Sequence, residues 1–177
     1  MSIRSRLRTV TRGLHDRLDR AMPSDFSDRA SYARFLRIQL AARLPVERWL
    51  VRNAPDELVP PSQTALIRHD LSSLGASQVI QEPKFELEPD GDALGVAWVL
   101  AGSHLGNRFL LKGLPAALEL PTAFFSDTRM TDFWKGLQSR LEADCPKDAD
   151  LPAERSATIV FDLFLALAGQ NRERIAA

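Results

Sequence analysis

The sequence predicts an all-α fold, a single helical bundle spanning residues 1–177. Two observations carry this. Apolar residues recur at helical spacing along nearly the whole chain, and no segment reads as a convincing strand, Val79-Ile80 being too short. With 45% apolar residues in 177, one domain has enough material for a real core.

The elements follow in order. Leu7, Val10, Leu14 and Leu18 form the stripe of a first helix, which Met22-Pro23-Ser24 breaks. Tyr32, Phe35, Leu36, Gln39, Leu40 and Leu44 begin a second. Pro45 is expected to kink or interrupt it by removing a backbone donor, before Trp49-Leu50-Val51 continue the face. Pro60-Pro61-Ser62 is a stop followed by a cap. Leu66, Ile67, Leu71 and Leu74 give a third helix with Gly75 at its C′ position. Residues 76–91, rich in acids, Pro and Gly, read as an exposed loop. A fourth helix is expected from Asp92 to Lys112, then a connection from Pro115 to Asp127 containing Phe124-Phe125. Met130, Phe133, Trp134, Leu137 and Leu141 mark a fifth helix. Pro152 suits the first turn of a sixth, which is apolar almost all round between Thr158 and Ala168, is expected to be central and buried, and ends at Gly169.

Composition excludes several classes. Lys plus Arg number 23 and Asp plus Glu 23, so the basic excess of a general nucleic-acid binder is missing. The single Cys145 forbids an internal disulfide, and with only His15, His69 and His104 a zinc site is not expected. The basic start lacks the apolar core of a secretory signal, and no run of 18 apolar residues exists. A cytoplasmic protein without a membrane span is expected.

The fourth helix is the most informative. Its glycines 95, 102, 106 and 113 are spaced by seven, four and seven residues. At 100° per residue they fall within roughly 20° of one line. Each interior Gly costs about 1 kcal/mol against Ala, so something lies close to that backbone. Close helix–helix packing and a flat ligand across the bare backbone both satisfy this pattern, and Gly113 also suits a helix end. On the first helix, Arg8, Arg12 and His15 share a face or lie close to it. A neutral imidazole is a good iron ligand and the guanidiniums can pair with carboxylates of the same ligand. A solvated histidine beside solvated arginines is the plainer reading.

Four blocks then carry a resemblance: LRTVTRGLHDRLD at 7–19, YARFLRIQL at 32–40, ALIRHDLSSLG at 65–75 and LGVAWVLAGSHLGNRFL at 94–110. Together they resemble the biliverdin-producing haem oxygenases, most closely the bacterial branch found with phytochromes. The block Phe161–Leu167 matches most weakly. The resemblance implies a haem oxygenase-like bundle with haem b as both substrate and cofactor, held between a proximal helix bearing His15 and a distal helix bearing Gly102 and Gly106. It implies His15 as the iron ligand, Gly102, Ser103, Gly106 and Asn107 in the oxygen chemistry, and Arg8, Arg12, Lys135 and Arg140 as propionate partners. Dioxygen is consumed, electrons come from an external ferredoxin or reductase, and the products are biliverdin, carbon monoxide and ferrous iron. A phytochrome receiving the biliverdin is the implied partner.

Two positions depart from the family pattern. Asn107 stands where a second Gly is common, and Ser103 where some members carry Asp. Asn107 supports the alternative of a haem-binding or haem-sensing protein without turnover. His104 points away from the glycine line, so a packing or surface role is expected of it. His69 and Asp162 are expected on polar or edge positions. Cys145 is read as an incidental thiol, which counts against the thiamine-degrading relatives of this fold.

Overall fold

The computed structural model describes residues 1–77, 79–88 and 91–176, with side chains described to residue 170. It contains seven α-helices among these residues: α1 Ile3–Ala21, α2 Arg29–Asn53, α3 Thr64–Ser73, α4 Ala93–Gly113, α5 Ala123–Ser126, α6 Arg129–Leu141 and α7 Pro152–Ala176. Short 3-10 turns sit at Asp56–Leu58 and Ala116–Leu118, and the described residues hold one isolated β-bridge, Ser2 to Asp144. The all-α expectation holds.

Local chemistry sets the ends. Asp28 and Ser31 form a reciprocal capping box at the start of α2. Asp92 caps α4 by accepting from the Leu94 amide at 2.7 Å. Gly75, at φ +65°, closes α3 as expected. Its amide donates to the Ser72 carbonyl, and the Ala76 amide to the Leu71 carbonyl, which completes a Schellman motif.

Several expectations change. Pro45 neither stops nor divides α2, which runs unbroken from Arg29 to Asn53. Pro45 is buried among Leu40, Ala42, Val46 and Leu50. Packing on both sides outweighs one lost backbone hydrogen bond. The stripe of α1 is Leu7, Thr11, Leu14 and Leu18, while Val10 is 45% exposed. Thr11 tolerates burial because its hydroxyl donates to the Leu7 carbonyl at 2.7 Å. The 76–91 loop is not wholly exposed. Phe85 is buried and meets Trp49 edge-on at 6.0 Å between ring centroids. The connection before α6 contains α5, whose Phe124 and Phe125 are both buried. Gly169 does not end α7, which continues to Ala176.

α7 is the hub, packing against α1, α2 and α4, yet it keeps an exposed line at Ile159, Asp162 and Ala166. The expectation of a helix buried all round is thus corrected. One apolar cluster joins α1, α4, α6 and α7 around Leu7, Val96, Leu137 and Val160. A second joins α2, α3 and α5 around Tyr32, Phe35, Ile67 and Phe125.

Buried carboxylates lock the connections. Glu47 accepts from the Ser62 hydroxyl, the Gln63 amide and the Thr64 hydroxyl, and so holds the start of α3. Asp70 accepts from the amides of Ala123 and Phe124 at 3.0 and 2.9 Å. Arg6 joins α1 to α7 through a two-pronged pair with Glu154, both contacts 2.8 Å, and also donates to the carbonyls of Pro146 and Ala149.

The glycine line divides in two. A Cβ on Gly95 would lie 2.1 Å from the Ala153 carbonyl oxygen, so α4 presses backbone to backbone on α7 there. At Gly102 the nearest group is the Trp134 ring tip at 3.9 Å, and at Gly106 and Gly113 nothing lies within 4 Å. Gly95 is therefore a packing glycine, and Gly113 is the last residue of α4. Gly95→Ala should destabilise the protein by about 1–3 kcal/mol, the cost of overpacking. Gly106→Ala should be neutral or gain up to about 1 kcal/mol of helix propensity. Chemical denaturation of the two variants checks the contrast.

Candidate haem site

The bare part of α4 is a surface. Gly102, Leu105, Gly106 and Phe109 follow i, i+3, i+4 and i+7, which puts them on one face. Gly102 is half-buried and Gly106 exposed, while Leu105 is 56% and Phe109 78% exposed. Two missing side chains beside two solvent-facing apolar ones make a flat, greasy strip of the kind that marks a binding surface. Trp134 of α6 stands at one end. Its ring tip faces Gly102, and Arg4 of α1 lies over the ring at 6.0 Å. Trp134 thus links α1 and α4 across α6.

His15 lies on the exposed side of α1 with its ring 6.2 Å from that of Phe161 on α7. Its side chain is 63% exposed, and Nδ1 is 3.0 Å from Asp19 Oδ2. A proton on Nδ1 facing that carboxylate leaves Nε2 as the lone-pair nitrogen, free to bind a metal. Arg8 and Arg12 are exposed and have no hydrogen bond or ion pair with any described residue. Lys135 and Arg140 are already engaged, Lys135 with Asp132 at 3.0 Å and Arg140 with Glu57 at 2.6 Å. Both pairs are exposed, and such pairs contribute only about 0–1 kcal/mol.

The other side of α4 is polar and closed. The Ser103 hydroxyl accepts from Arg43 Nη2 at 2.7 Å and donates to the Leu100 carbonyl at 2.8 Å. Its proton and an acceptor site are therefore already used. Asn107, which the resemblance puts in the oxygen chemistry beside Gly106, is turned inward and only 5% exposed. His104 is 4% exposed, with Nε2 2.8 Å from the Thr131 hydroxyl and no partner for Nδ1. This agrees with a packing role. His69 and Asp162 are exposed, and the half-buried Cys145 thiol donates to the Met1 carbonyl at 3.2 Å.

Arg43 is the residue that the sequence reading did not single out. It is 1% exposed on α2, its Nε donates to Gln39 Oε1 at 3.1 Å, and it lies over the Phe124 ring at 5.3 Å. Burial pushes its guanidinium down to about 10, opposed by the charge of Glu47, so it remains charged at neutral pH. The available signal was its place on the apolar stripe of the second helix, seven residues after Leu36 and four after Gln39.

A groove lined by Leu44, Glu47, Val51 and Pro60 lies beside α2 and contains none of the site residues expected from the sequence.

The fold and these placements meet in one comparison. The chain superposes on the haem oxygenase of Neisseria meningitidis, solved in its NO- and CO-bound forms, with a TM-score of 0.75 over 97% of this chain and 92% of that one, at 20% sequence identity. The fold is therefore that of a haem oxygenase. No protein-family model matches the chain. No curated protein matches it either. No helix among the described residues is long and apolar enough to cross a membrane.

His104 generates a pH prediction. Burial, then Arg108 and Arg43, push its pKa below the ordinary 6.5, and Asp127 opposes them. The folded protein keeps His104 neutral while the unfolded chain takes up the proton. Stability from this group is thus present above pH 6.5 and is lost as pH falls from there towards the lower folded value. His104→Gln, which retains a partner for Thr131, should fall less steeply than wild type in denaturation midpoints measured between pH 7 and 5.

Proposed function

We propose that the protein is a haem-degrading oxygenase that opens haem to biliverdin. The observation that carries this reading is the bare apolar strip of α4 at Gly102, Leu105, Gly106 and Phe109, in a bundle with the haem oxygenase fold. The residues present suit haem. The strip offers a plane without side chains at two positions, and His15 offers an exposed imidazole with Nδ1 already faced by Asp19.

Haem, as substrate, supplies the iron that reacts with dioxygen and the meso carbon that is oxidised, with electrons from an external ferredoxin or reductase. The chain's own residues bind and orient it. His15 Nε2 would hold the iron, and the Asp19 carboxylate would fix the tautomer and orientation of the ring. Arg8 and Arg12 pair with the propionates. Leu105 and Phe109 cover porphyrin surface and exclude water. Gly102 and Gly106 let the α4 backbone come close to the reacting face. Ser103 acts by holding its turn of α4, because its hydroxyl is committed to Arg43 and Leu100. Asn107, from the inner side, shapes the same turn. Delivery of biliverdin to a phytochrome belongs to the same proposal and rests on the sequence resemblance.

Mixing the purified protein with haemin and a reductant in air tests the reading. Loss of the Soret band with growth of a biliverdin band is the expected result. A Soret band that persists would mean haem binding without turnover, and no Soret band on mixing would end the proposal.

Two substitutions probe the geometry. Gly106→Leu should abolish haem uptake and leave the melting temperature of the haem-free protein nearly unchanged, since nothing lies within 4 Å of the new Cβ. His15→Ala should still take up haem weakly on the apolar strip but lose the histidine-ligated visible spectrum and the activity. An unchanged spectrum in that variant would remove His15 as the ligand.

A further inference from the structure

Arg43 is a buried charge whose contacts in the fold are one ring face and two neutral acceptors. It is 1% exposed, and no described carboxylate forms an ion pair with it. Nε and Nη2 each have one neutral acceptor, on Gln39 and Ser103, and buried Nη1 has none. Glu47, one turn along α2, spends its oxygens on Ser62, Gln63 and Thr64. Burying a cation without a counter-ion costs several kcal/mol, and an apolar side chain of similar volume is often neutral or better for stability. Other charges drawn into the fold, buried Asp70 and partly buried Arg6, behave differently. Asp70 receives two backbone amides, and Arg6 is matched by Glu154.

The charge is directed at α4. Arg43 Nη2 meets Ser103 at 2.7 Å, one residue along the helix from Gly102. Ser103 passes its own proton to the Leu100 carbonyl, so Arg43 does not hand a donor on to the bare face. What reaches that face is the field of a buried positive charge that Glu47, one turn along α2, offsets only in part, little screened by the protein interior.

We propose that Arg43 is an electrostatic residue of the haem site, a buried cation that favours negatively charged ligands on the α4 side of bound haem without touching them. This rests on the haem-binding reading above. It makes a charge-selective claim. A field strengthens binding of an anion and leaves a neutral ligand alone, whereas a residue that merely props α4 in place affects both.

The test uses full-length protein loaded with haemin, as wild type, Arg43→Met and Arg43→Gln. Met removes charge and hydrogen bonds, and Gln removes the charge while keeping an amide donor. Each is titrated with azide, an anion, and with imidazole, which is neutral, by following the visible spectrum. Both variants should bind azide about tenfold more weakly, a change of about 1.4 kcal/mol, with imidazole affinity unchanged. The haem-free Arg43→Met protein should melt at or above the wild-type temperature. Unchanged azide affinity, or equal weakening of azide and imidazole, would overturn the proposal. So would failure of both variants to fold, because the fold would then need the charge. Wild-type protein that takes up no haemin defeats the haem-binding reading itself, whereas the azide result on loaded protein defeats only the role of Arg43.

Discussion

The close approach of α4 to α7 at Gly95 governs the rest of the structure. No side chain, not even that of Ala, fits between the Gly95 backbone and the Ala153 carbonyl. The contact is reinforced one turn earlier, where the Ser156 hydroxyl receives the Asp92 amide at 2.9 Å. With its first turns pinned to α7, α4 meets α6 further along, through Trp134 at Gly102 and Thr131 at His104. Its second half then has one side committed inward, at Ser103, His104 and Asn107, and one side left open, at Leu105, Gly106 and Phe109. The open strip is the consequence of how the other sides of α4 are held.

Two kinds of buried charge do different work. Glu47, Asp70 and Asp127 collect amide and hydroxyl donors from the ends of connections, which ties α3, α5 and α6 to the bundle. The buried donors they satisfy would each cost about 1–3 kcal/mol if left unpaired. Arg43 instead has one nitrogen orphaned, and its nearest polar neighbour on another helix is in the segment that carries the bare glycines. Structural carboxylates are over-supplied with partners, whereas Arg43 is under-supplied, and that imbalance separates a fastening from a source of field.

The helical character of the chain, the breaks at Met22-Pro23 and Pro60-Pro61, the Gly75 cap and the alignment of the four glycines were all legible in the sequence, because each depends on residues a few positions apart. The same local logic misjudged Pro45, Gly169 and Val10. A proline or glycine in a helix carries a cost of about 1–3 kcal/mol, and burial of neighbours on several other helices exceeds it. Which glycines touch protein and which face open space was likewise beyond local reading. The line of 95, 102, 106 and 113 is uniform in sequence, and only the packing of α4 on α7 at Gly95 divides it.

The sequence by itself determined an all-helical chain and placed His15, Arg8 and Arg12 on or close to one face of its first helix. The tertiary structure alone decided that Arg43 is buried against Ser103, that Asn107 turns inward, and that Lys135 and Arg140 are paired while Arg8 and Arg12 have no partner among the described residues. The physical reason is range. Helix formation and facing are set within about one or two turns of chain, whereas burial, ion pairing and open surface depend on residues such as 43 and 103, sixty positions apart, that meet only when the helices pack.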